Sequence, residues 1–169
     1  MQAIDATDGP PAGPHSFYRG APLAVYDPET RKAIAALDGR IDTGATLAVW
    51  ETAIQTMWHG APVCFHGDMA AGNLLVDDGQ LCAVIDFGCS GVGDPACDLA
   101  IAWTLFAGDS RDGLYTALPL DEATWARGRG WALWKVVITL AEHMHRDPTT
   151  AETARRVIDE VLTDHANAR

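Results

Sequence analysis

The hydrophobic pattern of this 169-residue chain changes twice, from helical spacing to short apolar runs and back again. Near the start, Asp27-Pro28 has the form of a helix cap followed by proline at the first helical position, which predicts a helix to about Asp38. A second helix is predicted over 44–58, because apolar residues recur there every three or four positions. The residues on its predicted apolar face are Leu47, Trp50, Ile54 and Met57.

The middle of the chain has short apolar runs bounded by turn residues, which predicts strands. The runs are 63–65, 74–76 and 81–85, and the sequence DDGQ at 77–80 predicts a hairpin turn between the last two. The glycine-rich segment GCSGVG at 88–93 does not have the glycine order of a phosphate-binding loop, so we expect a flexible connector.

Helical spacing returns after Pro95 and predicts helices over about 95–107, 121–145 and 150–163. Asp121 is the expected cap of the long helix, and a bend is expected near Gly128 and Gly130. The last helix carries an apolar stripe formed by Ala154, Val157, Ile158, Val161 and Leu162.

These elements predict an α+β fold that is mainly α-helical, with a small β-hairpin carrying polar loops. The length fits a single domain over residues 1–169. Within it we expect an irregular lead-in at 1–27, two helices at 28–58, the hairpin and its loops at 62–94, and a helical subdomain at 95–165.

Charge and composition exclude several classes of protein. The net charge of −11 argues against a nucleic-acid or anionic-membrane partner, since phosphate binding needs clustered lysine and arginine. No apolar stretch approaches the ~20 residues of a membrane span, and the start does not resemble a signal peptide. The four cysteines match no zinc-ligand spacing, so we expect reduced thiols and a cytoplasmic protein.

The candidate chemistry lies in two polar loops, HGDMAAGN at 66–73 and the segment that begins IDFG at 85–88. A hairpin over 74–85 would bring Asn73 and Asp86 together at its open end. Such a pair suits Mg²⁺, which often takes one or two carboxylates plus substrate phosphates. Asp68 would lie beside them as a proton acceptor. The alternative is turn chemistry, which also favours Asp, Asn and Gly.

Other polar and aromatic residues are predicted to have structural roles. Trp125, Trp131 and Trp134 are expected in the core, whereas Arg127 and Arg129 are expected to be solvated.

The motifs HGDMAAGNLL, AVIDFG and GDPACDLA, in this order over 66–100, resemble the C-terminal lobe of the aminoglycoside phosphotransferase family. That family belongs to the protein-kinase-like superfamily. The resemblance implies that Asp68 is the catalytic aspartate and that Asn73 and Asp86 are metal ligands. It implies that His66 and Asp98 support the catalytic loop.

The resemblance also implies ATP as co-substrate, Mg²⁺ as cofactor and a small-molecule hydroxyl as phosphate acceptor. An aminoglycoside, and with it antibiotic resistance, follows from the family's namesake, while sugars, amino alcohols and macrolides are competitors. Asp94 precedes Pro95 and is equally explained as a plain helix cap. The sequence leaves the oligomeric state open.

The sequence departs from the family pattern before the HGD motif. A kinase of this type needs a glycine-rich loop and a strand lysine that contacts the phosphates. The chain has two lysines, Lys32 and Lys135, and both fall on predicted helices. We therefore expect a C-lobe without the N-lobe. Its function is either that of the catalytic and acceptor lobe of a kinase, or that of an inactive orphan lobe that serves as a binding module or has no function. A metal-dependent hydrolase is disfavoured, because two-metal sites usually need more ligands in one cluster.

Overall fold

The structure is a computed structural model that describes residues 1–168. The α-helices of the described residues are α1 (Asp27–Ala36), α2 (Thr43–Gln55), α3 (Ile101–Thr104), α4 (Asp109–Ala117), α5 (Glu122–His143) and α6 (Pro148–Asn167). The strands are β1 (Val63–Phe65), β2 (Leu74–Asp77), β3 (Gln80–Val84) and β4 (Gly91–Gly93). Short 3-10 segments lie at Pro14–Ser16, Leu23–Tyr26, Ala71–Asn73, Phe87–Cys89 and Pro95–Ala100.

Helix α5 lies at the centre of the fold and packs against α1, α2, α6 and the 3-10 segment Pro95–Ala100. Its buried face includes Trp131, Leu133, Val137 and Leu140. The Asp121 carboxylate accepts a hydrogen bond from the Thr124 amide, which confirms the expected cap. The core therefore forms around one long helix whose ends and faces touch most other helices.

Two glycines of α5 allow its neighbours to come close. A Cβ atom at Gly130 would lie 2.5 Å from the Cβ of Ala53 on α2, and one at Gly128 would lie 2.8 Å from the Cβ of Leu99. Helix α5 runs through both glycines without a break, so they are explained by close packing against α2 and Leu99 and not by the expected bend.

The strands form two small antiparallel sheets. Strands β2 and β3 make the expected hairpin, whose turn has Asp78 and Gly79 at φ 47° and 76°. Two consecutive residues at positive φ are the mark of a tight two-residue hairpin turn, where Asp-Gly is favoured. The mainly helical α+β architecture with a small hairpin is confirmed.

The second half of the glycine-rich segment 88–93 is a strand, and its start belongs to the 3-10 segment Phe87–Cys89. The segment is therefore not the flexible connector that the sequence predicted. Gly91–Gly93 forms β4, which pairs with β1, with Val63 opposite Gly93. The lead-in segment lies along its other edge, because the Val92 amide donates to Pro10 O at 2.8 Å and the Ala12 amide donates to Val92 O at 3.0 Å. Glycine is needed at 93 since a Cβ there would lie 2.5 Å from the carbonyl oxygen of Gly20. Packing against other segments fixes this backbone, which local sequence does not reveal.

Several helix boundaries differ from the sequence prediction. Asp27 is not the cap of α1, because Tyr26 precedes the helix and the Asp27 carboxylate instead accepts a hydrogen bond from Trp50 Nε1 at 2.7 Å. Helix α2 ends at Gln55, so Met57 lies outside it and is 64% exposed.

In the later part of the chain, the predicted 95–107 helix is a 3-10 segment followed by the short α3, and α4 was not predicted. Helix α6 carries the expected apolar stripe, with Ala154, Val157, Ile158 and Val161 buried and Leu162 packed against the core.

The prediction that Arg127 and Arg129 are solvated is wrong. Arg127 is 5% exposed and forms a buried ion pair with Asp94, with Nε 2.6 Å from Oδ2. Arg129 is 2% exposed and contacts Asp164 and Glu122. A buried arginine charge is tolerated when it is paired. Asp94 and Asp164 come from segments distant in sequence, whereas Glu122 lies two turns earlier on α5. Trp125 and Trp131 are in the core as expected, while Trp134 is partly buried.

Within residues 1–168, no helix is both long and apolar enough to cross a membrane.

Candidate active site

The loop after β1 is held from behind by the carboxylate of Asp98. This carboxylate accepts hydrogen bonds from the main-chain amides of His66 at 2.8 Å and Gly67 at 2.7 Å. Burial raises the pKa of Asp98, and the two amide hydrogen bonds lower it without cancelling the effect of burial. Asp98 belongs to the 3-10 segment that packs on α5, so the loop is attached to the core.

The side chain of His66 ties this loop to the end of the hairpin. His66 is fully buried, with Nε2 3.0 Å from the carbonyl oxygen of Ile85 and its ring centroid 4.9 Å from that of Phe87, at an angle of 52° between the ring planes. The carbonyl is an acceptor, so Nε2 carries the proton and Nδ1 faces the amide of Asp68, 3.3 Å away. His66 therefore connects the segment that carries Asp68 to the segment that carries Asp86.

Gly67 permits the close approach of these two segments. It has φ 84°, and a Cβ at this position would lie 2.2 Å from the carbonyl oxygen of Cys89. Both its positive φ and its lack of a side chain are thus required where the two loops meet.

Asp68 and Asn73 lie together at the surface of the loop. The Asn73 amide nitrogen donates to the main-chain oxygen of Asp68 at 2.8 Å and lies 3.4 Å from its Oδ2 atom. The bond to a carbonyl fixes the orientation of the amide, which leaves the Asn73 Oδ1 atom available as a ligand. An oxygen donor beside a carboxylate is the kind of group that Mg²⁺ binds.

Asp86 follows β3 at the open end of the hairpin. The amide of Ile85 donates to the carbonyl oxygen of Asn73 at 2.9 Å, so Asn73 and Asp86 flank the same main-chain hydrogen bond. Asp86 adopts the left-handed conformation, φ 63° and ψ 65°, and its side chain is exposed. A residue with a side chain seldom adopts this conformation, and here it occurs at a candidate metal ligand.

The charges of Asp68 and Asp86 act on a common neighbour. Burial raises the pKa of the Cys89 thiol, and the negative charges of both aspartates raise it further. The structure thus gathers Asp68, Asn73 and Asp86, the three residues that the sequence proposed for chemistry, around one edge of the hairpin. Within the described part of the chain there is no cluster of three or more His, Cys, Asp or Glu side chains that could hold a metal. The oxygen donors fit a magnesium ion that shares its coordination with phosphate and water, not a closed metal site.

Sequence reasoning missed Lys135 as a neighbour of Asp68. The Lys135 Nζ atom lies 3.0 Å from Asp68 Oδ1. Partial burial works to raise the pKa of Asp68, but the hydrogen bond and charge of Lys135, with a further contribution from Arg19, outweigh it and hold the pKa below its ordinary value. The one available signal was a lysine within the otherwise apolar run WALWKVVITL of α5.

Comparison with protein families shows where this arrangement belongs. The family described as "APH: Phosphotransferase enzyme family" matches residues 1–131. The chain therefore belongs to this phosphotransferase family. A search of curated proteins found no match.

Solved structures of the aminoglycoside phosphotransferase APH(4)-Ia share the fold. A thermostable N202A mutant in ternary complex with AMP-PNP and hygromycin B matches with TM-score 0.63 and 18% identity, covering 99% of this chain and 61% of its own. The APH(4)-Ia structure without a named mutation gives 0.62 and 18%, with 96% and 60% covered. The apo form of a thermostable mutant gives 0.58 and 20%, with 99% and 62% covered. This chain thus spans about three-fifths of the length of these enzymes.

Proposed function

We propose that this chain is the catalytic and acceptor-binding lobe of an ATP-dependent phosphotransferase, which transfers the γ-phosphate of ATP to a hydroxyl group of a small molecule. The observation that carries the proposal is the juxtaposition of Asp68 and Asn73 in one loop with Asp86 at the end of the adjacent hairpin. Membership of the phosphotransferase family supports the class of reaction.

In this proposal Asp68 is the catalytic base. Its carboxylate accepts the proton of the acceptor hydroxyl while the hydroxyl oxygen forms a bond to the γ-phosphorus. The bond from that phosphorus to the bridging oxygen breaks, and ADP leaves with the electron pair. A positioned base of this kind contributes about 10²–10⁴-fold in rate. The pKa of Asp68 lies below its ordinary value, so the carboxylate is ionised at neutral pH, as a proton acceptor must be.

Asn73 and Asp86 would hold Mg²⁺ in the proposed enzyme. When bound, the ion would supply positive charge against the phosphate oxygens. Asn73 would contribute its Oδ1 atom, since its nitrogen is engaged by Asp68, and Asp86 would contribute its exposed carboxylate. His66 and Asp98 act through these residues, because they fix the main chain on which Asp68 and Asp86 lie.

ATP as co-substrate is supported by those solved structures of APH(4)-Ia that are complexes with AMP-PNP or ADP. An aminoglycoside acceptor, and a role in antibiotic resistance, are supported by the hygromycin B present in the same complexes. Because identity to these enzymes is 18–20%, sugars, amino alcohols and macrolides stay in the acceptor screen.

The second candidate is an inactive lobe that binds no nucleotide. It is favoured by the two lysines of the sequence, which both lie on helices, α1 and α5, and not on a strand that would contact the phosphates. Calorimetric titration of this chain with Mg-ATP separates the candidates. The kinase proposal predicts binding that Asp86→Asn weakens, whereas an inactive lobe gives no heat with either protein.

Transfer itself is tested in a form extended by a nucleotide-binding lobe, with hygromycin B and the competing acceptors and with detection of phosphorylated product by mass spectrometry. Product formation that requires Asp68 supports the proposal. Nucleotide binding without transfer to any acceptor in the screen would contradict it.

A further inference from the structure

A cavity lies beside Asp68 on the side that faces α5. Its lining is formed by Arg19, Gly67, Asp68, Met69, Cys97, Ala100, Trp131, Trp134 and Lys135. The candidate metal ligands Asn73 and Asp86 do not line this cavity. The two oxygens of the Asp68 carboxylate have different neighbours, since Asn73 approaches Oδ2 and Lys135 contacts Oδ1. If the proposed function holds, the phosphate donor lies on the Oδ2 side, so this cavity lies on the acceptor side of the base.

Arg19 differs from the buried arginines of this protein in its partners. Arg111, Arg127 and Arg129 each pair with a carboxylate. Across residues 1–168, Arg19 forms no ion pair: its Nε donates to the carbonyl oxygen of Gly67 at 3.0 Å, and its enclosed Nη1 atom has no hydrogen-bond partner. Leaving a buried donor of a charged group unsatisfied costs free energy. The other arginines that form no ion pair within residues 1–168 are exposed or partly exposed at the surface, so the enclosed Nη1 atom is what distinguishes Arg19, and an anionic ligand would explain it.

Aromatic stacking does not account for this arginine. Its guanidinium carbon lies 4.3 Å from the ring centroid of Trp134 and 5.7 Å from that of Trp131. A cation–π contact of this kind is electrostatic, and it does not replace a hydrogen-bond acceptor or a charged partner for the guanidinium. The phenol of Tyr26 donates to the carbonyl oxygen of Phe17, and its own oxygen is a neutral acceptor for Arg19, which lowers the pKa of Tyr26 against the larger effect of burial. The two rings therefore hold the guanidinium in place, and its positive charge has no carboxylate partner among residues 1–168.

Lys135 adds a second cation on the same side. An ammonium group has three donors, and Lys135 uses one of them for Asp68. No other hydrogen bond of its ammonium occurs among the described residues, and its side chain is 46% exposed. Two donors thus remain for a ligand in the cavity.

We infer that Arg19 and Lys135 form an oxyanion subsite on the acceptor side of Asp68, which takes a carboxylate or phosphate group. The substrate class that this subsite favours is a hydroxy compound bearing such an anion near the reacting hydroxyl, in contrast to a polycationic aminoglycoside. Planar guanidinium and ammonium donors suit both kinds of oxyanion. The inference rests on the proposed function only where it calls this cavity the acceptor side of Asp68. Binding of an oxyanion by Arg19 and Lys135 does not depend on phosphate transfer.

The charges around the subsite permit an anion. Asp68 is neutralised by its contact with Lys135, and Asp98 is turned to the main chain behind the loop. The carboxylate of Glu29 accepts a hydrogen bond from Trp134 Nε1 at 2.7 Å and does not line the cavity. The lining itself therefore carries two cations against one carboxylate.

The test is an NMR titration of this chain with two anionic probes, inorganic phosphate and glycerate, and with glycerol as the uncharged control. The indole N–H signals of Trp131 and Trp134 and the Arg19 Nε–H signal report on the cavity. Variants Arg19→Gln and Lys135→Met each remove one cation, Lys135→Arg restores it, and Lys32→Met removes an exposed charge on α1 as the matched control. Circular dichroism checks that each variant is folded.

We expect at least one anion to shift these signals and to bind about ten- to a hundredfold more weakly to Arg19→Gln and Lys135→Met, since each loses a charge-assisted hydrogen bond. Glycerol should not shift them, and Lys32→Met should behave as wild type. Response to phosphate alone identifies a phosphoryl group as the ligand, and response to glycerate identifies an acidic acceptor.

Absence of any anion response, or an equal response in all variants, overturns the inference. Since nucleotide binding is measured separately with Mg-ATP, failure of the subsite and failure of the proposed kinase function are distinguishable.

Discussion

The Nζ atom of Lys135 lies 3.0 Å from Oδ1 of Asp68, although 67 residues separate them in sequence. This contact connects the central helix α5 to the loop that holds the proposed base. Replacing Lys135 with Met should raise the pKa of Asp68, because partial burial then acts without the opposing hydrogen bond and charge. Carbon-detected NMR titration of the carboxyl signal, assigned with Asp68→Asn, measures the change. Lys32→Met should leave the signal where it is.

The same pair predicts a pH dependence of stability. The folded-state pKa of Asp68 is lowered, so the contribution of the pair is present above the pKa of the unfolded chain and is lost as pH falls through the folded-state value. Urea denaturation of wild type and Lys135→Met at a series of pH values should show that their stabilities converge in acid. A difference that grows as pH falls would contradict the assignment.

Asp98 should stabilise the loop that carries the proposed base, Asp68. Asp98→Asn replaces one acceptor oxygen with an NH₂ group that cannot accept from the amides of His66 and Gly67. We expect a loss of about 1–3 kcal/mol in the free energy of unfolding, the cost of leaving an enclosed donor unsatisfied. Urea denaturation measures it, with the exposed Asp38→Asn as a control of the same chemical change. Equal stability of the two variants would mean that Asp98 does not hold the loop.

The glycines of α5 provide a packing test. Gly130→Ala should destabilise the fold by about 1–3 kcal/mol despite the better helix propensity of alanine, since the new methyl group meets Ala53 and Leu23. Gly113→Ala in α4 meets no atom within 4 Å and should stabilise by up to about 1 kcal/mol. Thermal unfolding of both variants measures the contrast. Changes of the same sign would show that propensity, and not contact with α2, decides the outcome at Gly130.

Breaking the ion pair between Arg127 and Asp94 should lower the free energy of unfolding more than breaking an exposed ion pair. Both side chains are almost fully enclosed, so Arg127→Met leaves the Asp94 charge buried without its partner, at a cost of about 3–5 kcal/mol. The more exposed pair of Arg31 with Glu51 should contribute less than about 1 kcal/mol, as Arg31→Met would show. Chemical denaturation of both variants tests this order, and a cost for Arg31→Met as large as that for Arg127→Met would refute it.

Local sequence predicted those parts of the fold that depend on local chemistry. The hairpin followed from two apolar runs around Asp78 and Gly79, α5 from apolar periodicity after the capping Asp121, and α6 from its apolar stripe. The strand β4 was missed because its glycines are dictated by Gly20 and Phe65, which lie far away in sequence.

The residues of the candidate site also fall into those that local sequence predicts and those that depend on tertiary packing. Asp68, Asn73 and Asp86 were recognisable since they lie in two motifs at the ends of neighbouring strands. Lys135 and Arg19 were not, because their places beside Asp68 depend on how α5 and the lead-in segment pack against the loop. The same limit explains the wrong prediction for Arg127 and Arg129, because their partners Asp94 and Asp164 belong to other elements.

The central proposal is that Asp68 accepts the proton while Asn73 and Asp86 hold the metal. The most direct measurement compares Asp68→Asn with Asp86→Asn in a form extended by a nucleotide-binding lobe, by steady-state kinetics and by Mg-ATP titration. We predict that Asp68→Asn lowers kcat about 10²–10⁴-fold with nucleotide affinity retained, while Asp86→Asn weakens metal and nucleotide binding together. Near-wild-type kcat in Asp68→Asn, or the same failure in both variants, would contradict the assignment.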